Sequence, residues 1–115
     1  MRRSSNCLVL AAAALVPALA TAQGGYPSRA VRIIAPTSPG SGSDIMARLI
    51  AQGLTERLGR QVVVENRVGA GTVIGNDAVA KAAPDGHTLL MGVSTLAINP
   101  STFRSLPYEA QRDFA

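Results

Sequence analysis

Two patterns of apolar residues alternate along the chain: short continuous runs rich in β-branched residues, and segments in which apolar residues recur at helical spacing. Residues 31–34, 62–64 and 88–91 are short apolar runs, each of which predicts a strand. Between them, apolar residues recur every three to four positions and predict helices over residues 42–58 and 72–83. The order strand, helix, strand, helix, strand predicts an α/β fold with a parallel sheet and right-handed crossovers. With the second and third strands on opposite sides of the first, the strand order is 2-1-3.

The first predicted helix has one apolar face and clear signals at both ends. Its apolar face comprises Ile45, Met46, Leu49, Ile50, Leu54 and Leu58. Ser41 and Asp44 have the spacing of a capping box, so the helix is expected to begin near Gly42 and to stop at Gly59. Two i,i+4 charge pairs are expected on its other face: Asp44 with Arg48, and Glu56 with Arg60.

The later elements give weaker patterns. Thr72 can cap the second helix, whose buried stripe is expected to be Ile74, Ala78 and Ala82. The continuous apolar run at residues 62–64 predicts a strand buried on both faces. From residues 99–100, an Asn-Pro pair, the chain is expected to be irregular to its end.

The first 22 residues have the three parts of a secretory signal peptide. Two arginines and a polar spacer precede an apolar run at residues 7–16, and A-x-A-like sites allow cleavage after Ala20 or Ala22. The run is shorter than the roughly 20 residues that span a bilayer. Residues 23–115 would form the mature chain. Cleavage would remove Cys7, and with it any disulfide or thiolate metal site.

The charge of the mature chain excludes one class of partner. The formal net charge of the whole sequence is +4 at pH 7. Loss of Arg2 and Arg3 with the signal leaves nine basic and seven acidic side chains, and the basic ones are dispersed. A nucleic-acid surface needs clustered basic residues, so no nucleic-acid partner is predicted.

The predicted sheet also locates a candidate site. Ligands of parallel sheets bind beyond the carboxyl ends of the strands, where the winding reverses. This rule selects three loops, at residues 37–44, 66–72 and 92–95, which are rich in glycine and small hydroxyl residues. The first loop enters a helix N-terminus, whose unpaired N–H groups and positive dipole favour an anion. The alternative is a tight turn that binds nothing.

Other chemistries find little support. A P-loop needs lysine where this chain has Asp44, and no complete dinucleotide fingerprint occurs. No His/Asp/Glu group has ligand spacing, so neither a metal nor a cofactor is predicted. His87, the only histidine, enters the third strand at its amino end and is expected on the surface. Without a paired base and nucleophile, an enzyme is not predicted.

An ordered set of motifs resembles a known family. The motifs are residues 26–34, Pro-Gly-x-Gly-x-Asp at 39–44, residues 58–67, Gly-Ala-Gly at 69–71, residues 78–91 and residues 97–100. Together they resemble the N-terminal part of the tripartite tricarboxylate transporter receptors, the Bug-type or TctC-like periplasmic solute-binding proteins. The resemblance covers nearly all of residues 26–115.

The resemblance implies a function and a site. It implies a two-lobed, monomeric periplasmic receptor that closes on a small organic acid and delivers it to the membrane permease subunits of a tripartite transporter. Residues 23–115 would then be an incomplete first lobe. The positions that match the family's pocket are Ser38, Gly40, Ser41, Gly42, Ser43, Asp44, Asn66, Gly69, Gly71, Thr72, Ser94 and Thr95. Three alternatives remain: a ligand sensor for a membrane kinase, a secreted enzyme using Asp44 or His87, and a non-functional truncated product.

Overall fold

Residues 25–115 are described by the structure, a computed structural model. Its elements are β1 (Val31–Ala35), α1 (Gly42–Leu58), β2 (Val62–Asn66), α2 (Val73–Ala80), β3 (Thr88–Leu90) and α3 (Thr95–Thr102). The predicted signal peptide, its cleavage sites and Cys7 lie outside the described residues. Within residues 25–115, no helix is both long enough and apolar enough to cross a membrane.

The sheet is parallel and has the predicted order, β2-β1-β3. β1 is central: Ile33 is in register with Val64 on one side and Leu89 on the other. Four of the five β1 residues are buried. The prediction that β2 is buried on both faces is wrong, because β2 is an edge strand of this sheet; only Val62 is buried, and residues 63–66 are half-buried.

α1 covers the sheet with small residues rather than with its large ones. Ala47 and Ala51 are buried in one cluster with β1 and β2, and Leu54 and Leu58 pack against that cluster. The prediction of the apolar face is therefore right for two of its six residues, Leu54 and Leu58. Its other members point away from the sheet and are 42–59% exposed: Ile45, Met46, Leu49 and Ile50. Alanines let the helix approach the sheet closely, which the larger side chains would prevent.

The predicted ends of α1 are confirmed. The Asp44 N–H donates to the Ser41 Oγ at 3.4 Å, and Gly59 closes the helix in the left-handed conformation with φ 64°. The Asp44–Arg48 ion pair forms at 3.0 Å. The expected Glu56–Arg60 pair does not occur among the ion pairs of residues 25–115.

α2 and α3 depart from the predicted pattern. α2 ends at Ala80, and Ile74 of its expected stripe is 50% exposed. Its buried residues are Gly75 and Asn76. A Cβ on Gly75 would lie 2.7 Å from the Pro36 Cβ and 2.8 Å from the Arg67 carbonyl oxygen, so only glycine fits there. α3 was missed: Pro100 lies inside this helix instead of ending it.

Replacing Gly75 by alanine should destabilise the protein. The added methyl group meets backbone atoms, which cannot rotate away, so we expect the free energy of unfolding to fall by about 1–3 kcal/mol. The matched control is Gly53→Ala in α1, where a Cβ meets nothing within 4 Å. That change should raise the free energy of unfolding by about 0.5–1 kcal/mol. Urea unfolding measures both; equal effects of the two substitutions would contradict the close contact.

Candidate functional site

The three predicted loops meet at one edge of the sheet. β1, β2 and β3 are parallel and in register, so their carboxyl ends face the same way. The backbone continues the pairing just past the strands: the Arg67 N–H donates to Ala35 O at 2.9 Å and the Met91 N–H to Ile34 O at 2.8 Å. Each loop therefore begins beside the next, as the parallel topology requires.

A closed ring of three side chains ties the first loop to the second. Asp44 accepts from the Arg48 Nε at 3.0 Å and, on its other oxygen, from the Asn66 Nδ2 at 2.8 Å. The Arg48 guanidinium completes the ring by donating to the Asn66 Oδ1 at 3.1 Å. The Asn66 amide also donates to the Thr37 carbonyl, and the Gly40 N–H donates to Asp44. Asp44 thus holds the loop in shape.

These donors set the charge state of Asp44. The hydrogen bond from Arg48, followed by those from Gly40 and Asn66, lowers the pKa of Asp44 to about 2, although burial opposes the shift. The carboxylate is only 2% exposed. A buried carboxylate with this pKa and with all these donors is a poor general base at neutral pH. Among the sequence-predicted site residues, Asp44 therefore shapes the site and does not present its oxygens to a ligand.

The first loop presents hydroxyl groups and a helix N-terminus. Thr37, which sequence reasoning did not include, has its Oγ1 2.6 Å from the Ser43 Oγ and accepts from the Ser41 Oγ at 2.9 Å. The N–H groups of Gly42 and Ser43 open α1 and have no partner among the hydrogen bonds of residues 25–115. Ser38, Gly40 and Gly42 are exposed.

The second loop is a run of left-handed backbone. Gly69, Ala70, Gly71 and Thr72 all have positive φ, at 139°, 49°, 61° and 75°. Ala70 and Thr72 have a Cβ, so this conformation is strained and must be held by surrounding contacts. The carbonyls of the turn accept hydrogen bonds from the first N–H groups of α2. The Val73 N–H, for example, donates to Ala70 O at 3.2 Å. The N-terminus of α2 is therefore closed to a ligand.

The third loop joins the second through two hydroxyl groups. The Thr95 Oγ1, at the start of α3, lies 2.7 Å from the Thr72 Oγ1. Ser94 is exposed and Thr95 is half-buried. The structure thus brings the three loops together in two pairs, first with second through Asn66, and second with third through Thr72.

A buried polar network beneath this contact was missed. Asn76 and Asn99 both donate to the Tyr108 hydroxyl, at 3.0 and 3.4 Å, and all three side chains are buried. Asn99 also donates to the Gly71 carbonyl at 3.0 Å. The available signal was an asparagine inside an apolar helical stretch, which needs a partner when it is buried.

His87 lies at the amino end of β3, away from the three loops, as predicted. The prediction that it is a surface residue is wrong, because its side chain is only 7% exposed. The Ser28 N–H donates to its Nε2 at 3.2 Å, and its Nδ1 lies 3.2 Å from the Asp85 carbonyl oxygen. The ring thus fastens the segment before β1 to the turn before β3. No cluster of metal-ligating side chains occurs within residues 25–115.

Comparison with known proteins places this fold and sequence in one group. The profile described as "Tripartite tricarboxylate transporter family receptor" matches residues 46–115. The chain is 49% identical over 90 residues to BugT of Bordetella pertussis. It is similar to the periplasmic binding protein BugD, with a TM-score of 0.73 and 38% identity, and to MatC from Rhodopseudomonas palustris with bound malate, with a TM-score of 0.65 and 34% identity.

These similarities cover most of the chain but a minor part of each relative. The alignments include 76% of this chain, whereas they include 28% of BugT, 29% of BugD and 30% of MatC. The chain thus spans less than a third of the length of these relatives. The profile match begins at residue 46, just after the first loop.

The Asp44 ring predicts a specific dependence of stability on pH. Because folding lowers the pKa of Asp44 from 3.8 to about 2, its stabilising contribution is complete above pH 4 and is lost as the pH falls towards 2. We expect Asp44→Asn to flatten the acid side of the stability profile. Urea unfolding of wild type and variant between pH 5 and pH 2 measures the difference.

The matched control is Asp113→Asn. Hydrogen bonding to Arg112 also lowers the pKa of the Asp113 carboxyl, but this pair is remote from the ring. The Asp113→Asn variant should still lose the stability contributed by Asp44 as the pH falls. Parallel profiles for wild type and Asp44→Asn would show that the ring does not hold the charged form.

Proposed function

This chain belongs to the tripartite tricarboxylate transporter receptor family, and from that premise we propose that it binds a small organic carboxylate as part of a periplasmic solute receptor. The observation that carries the proposal is the start of α1. There, the N–H groups of Gly42 and Ser43 have no partner among the hydrogen bonds of residues 25–115, and they lie in the loop at the carboxyl end of β1. Such groups at the positive end of a helix bind carboxylates well.

The charges around this edge support an anion in spite of Asp44. The carboxylate is buried and is paired with the Arg48 guanidinium, so its charge is largely compensated. The Ser43 hydroxyl lies beside these N–H groups and adds a small polar group, whereas the proton of the Ser41 hydroxyl is donated to the Thr37 Oγ1. The family relative MatC has been solved with bound malate, which is a dicarboxylate.

The remaining parts of the proposal concern the whole protein. We propose that residues 1–22 direct export to the periplasm and are removed, and that residues 23–115 contribute to the first lobe of a two-lobed, monomeric receptor. The second lobe would close over the ligand, and a membrane permease would receive it. The ligand-binding residues proposed are the twelve named from the sequence, with Asp44, Asn66, Ser41 and Thr72 shaping the loops through their hydrogen bonds.

Calorimetry of the full-length protein against malate, succinate, glutarate and adipate tests the proposal. We expect at least one of these dicarboxylates to bind with a measurable Kd and to raise the Tm, because a ligand that binds only the folded state stabilises it. Absence of heat and of any thermal shift with all four would contradict the proposal.

Two substitutions of Gly42 locate the binding group. Proline fits the first position of a helix, and Ser41 already has the extended conformation, with φ −70° and ψ 162°, that a following proline requires. Gly42→Pro therefore removes one N–H and should keep the helix. We expect its Kd for the tightest-binding dicarboxylate to rise about tenfold or more, since a hydrogen bond to a charged group contributes about 1.5–3 kcal/mol.

Gly42→Ala is the matched control, because it keeps the N–H and its Cβ meets nothing within 4 Å. Its Kd should stay within about threefold of wild type, less than 1 kcal/mol. Equal affinities of the proline and alanine variants would exclude this N–H as a ligand contact.

The export proposal has its own test. The protein recovered from the periplasm should begin at Gln23 or Thr21, because A-x-A-like sites precede both. N-terminal sequencing and intact mass identify the first residue. Periplasmic protein that still begins at Met1 would contradict cleavage.

A further inference from the structure

The buried network beneath the second and third loops has a direction that bears on ligand binding. We propose that Asn99 is a positioning residue that acts through Thr72 to hold the Thr95 hydroxyl as a hydrogen-bond donor towards a bound carboxylate. This inference rests on the proposed function and deepens it. It explains how the third loop would favour a ligand group that only accepts hydrogen bonds, such as a carboxylate, over a group that donates them.

The orientation of the Asn99 amide is fixed by a backbone group. Its Nδ2 lies 3.0 Å from the Gly71 carbonyl oxygen, which can only accept, so the nitrogen must face the second loop. The same nitrogen lies 3.4 Å from the Thr72 Oγ1. Asn76, one turn into α2, directs its Nδ2 to the same oxygen at 3.3 Å.

Two amide donors on one hydroxyl oxygen determine where its proton goes. Of the two Asn99 N–H groups, one is donated to the Gly71 carbonyl, and the other is shared between the Thr72 Oγ1 and the Tyr108 hydroxyl, each at 3.4 Å. Together with the Asn76 N–H, this shared N–H occupies the two lone pairs of the Thr72 Oγ1. Its own proton must then point elsewhere, and the Thr95 Oγ1 at 2.7 Å is the acceptor. Hydrogen bonds in such a chain polarise one another in the same direction.

The series of hydrogen bonds from Asn99 through Thr72 ends at Thr95, in the candidate site. The Thr95 Oγ1 accepts from Thr72, and its own proton has no other partner among the hydrogen bonds of residues 25–115. Thr95 is half-buried and lies at the first position of α3, in the third loop of the candidate site. An ionised carboxylate only accepts, and it therefore matches a hydroxyl that is held as a donor.

Variants of Thr95 test the end of the chain in the full-length protein, with the tightest-binding dicarboxylate of the panel as probe. Thr95→Val keeps the shape and removes the hydroxyl, and its Kd should rise about tenfold or more. Thr95→Ser keeps the hydroxyl and should stay within about threefold of wild type. Equal binding by wild type and Thr95→Val, or equal loss in both variants, would overturn the inference.

A double-mutant cycle tests whether Asn99 acts through Thr95. Asn99→Ala should weaken binding about threefold or more in the wild-type background and leave binding unchanged in the Thr95→Val background, because coupled residues are not additive. The same loss in both backgrounds would overturn the role of Asn99. If Asn99→Ala does not fold, the isosteric Asn99→Asp replaces the donor by an acceptor and takes its place in the cycle.

Tyr108→Phe is the control for a merely structural role. It removes the hydroxyl that accepts from Asn76 and Asn99 and lowers the Tm, but leaves both donors on Thr72. Its Kd should stay within about threefold of wild type. An equal loss of affinity in Tyr108→Phe and Asn99→Ala would show that the network only supports the fold.

The direction of the hydrogen bonds from Thr72 to Thr95 depends on the orientation of the Asn76 amide, which gives a further test. The Asn76 Oδ1 is buried and has no hydrogen-bond partner within residues 25–115. A reversed amide would make Thr72 donate to Asn76 and Thr95 donate to Thr72. Thr95 would then offer only lone pairs, and Thr95→Val would bind as well as wild type or better. If wild type binds none of the four dicarboxylates, the proposed function fails first and this inference fails with it.

Discussion

The hydrogen bonding of β1 to a parallel neighbour on each side is the constraint from which the other features follow. Parallel strands cannot be joined by a tight turn, so each connection crosses back through a helix. Each of these helices then starts where a strand ends. α1, α2 and α3 consequently begin at one edge of the sheet, and the chemistry of that edge is decided by how each N-terminus is closed.

The three helix N-termini differ in whether their first N–H groups are bonded to backbone carbonyls, which gives the edge its polarity. The left-handed turn at residues 69–72 covers the start of α2 with its own carbonyls. The start of α3 is likewise covered by backbone carbonyls, since the Leu96 N–H donates to Val93 O and the Ala97 N–H donates to Ser94 O. At the start of α1, the N–H groups of Gly42 and Ser43 have no partner among the hydrogen bonds of residues 25–115, and they lie beside hydroxyl groups. The Asp44 ring neutralises the one carboxylate in the first loop through Arg48 and binds that loop to Asn66. The edge therefore presents donors while its one acidic group faces inward.

The order and bounds of most elements were predictable, because their signals are local in the sequence. The packing of α1 on the sheet was not predictable, because it depends on the distance between elements. Periodicity, Ser41 and Gly59 correctly bounded α1, and the alternation of elements correctly predicted a parallel sheet. The order 2-1-3 required the further assumption that the second and third strands lie on opposite sides of the first, which is confirmed. Periodicity did not distinguish the two sides of α1, which are both apolar. Ala47 and Ala51 pack on the sheet, whereas Met46 on the other side stays half exposed. The alanines allow the helix to lie closest to the sheet, so they form the contact. A ranking by hydrophobicity alone places alanine below methionine and therefore does not predict this.

The support of the candidate site was missed because its partners are far apart in sequence. Asn76 meets Tyr108 across 32 positions and Asn99 meets Gly71 across 28, and no local pattern connects them. The Asn-Pro pair concealed α3, since proline usually interrupts a helix. Tyr108 lies in the segment after α3 that contains no regular helix or strand. Because its hydroxyl receives both amides, this segment is not a loose connection: it fixes two helices from below, and the strained turn at Thr72 depends on it.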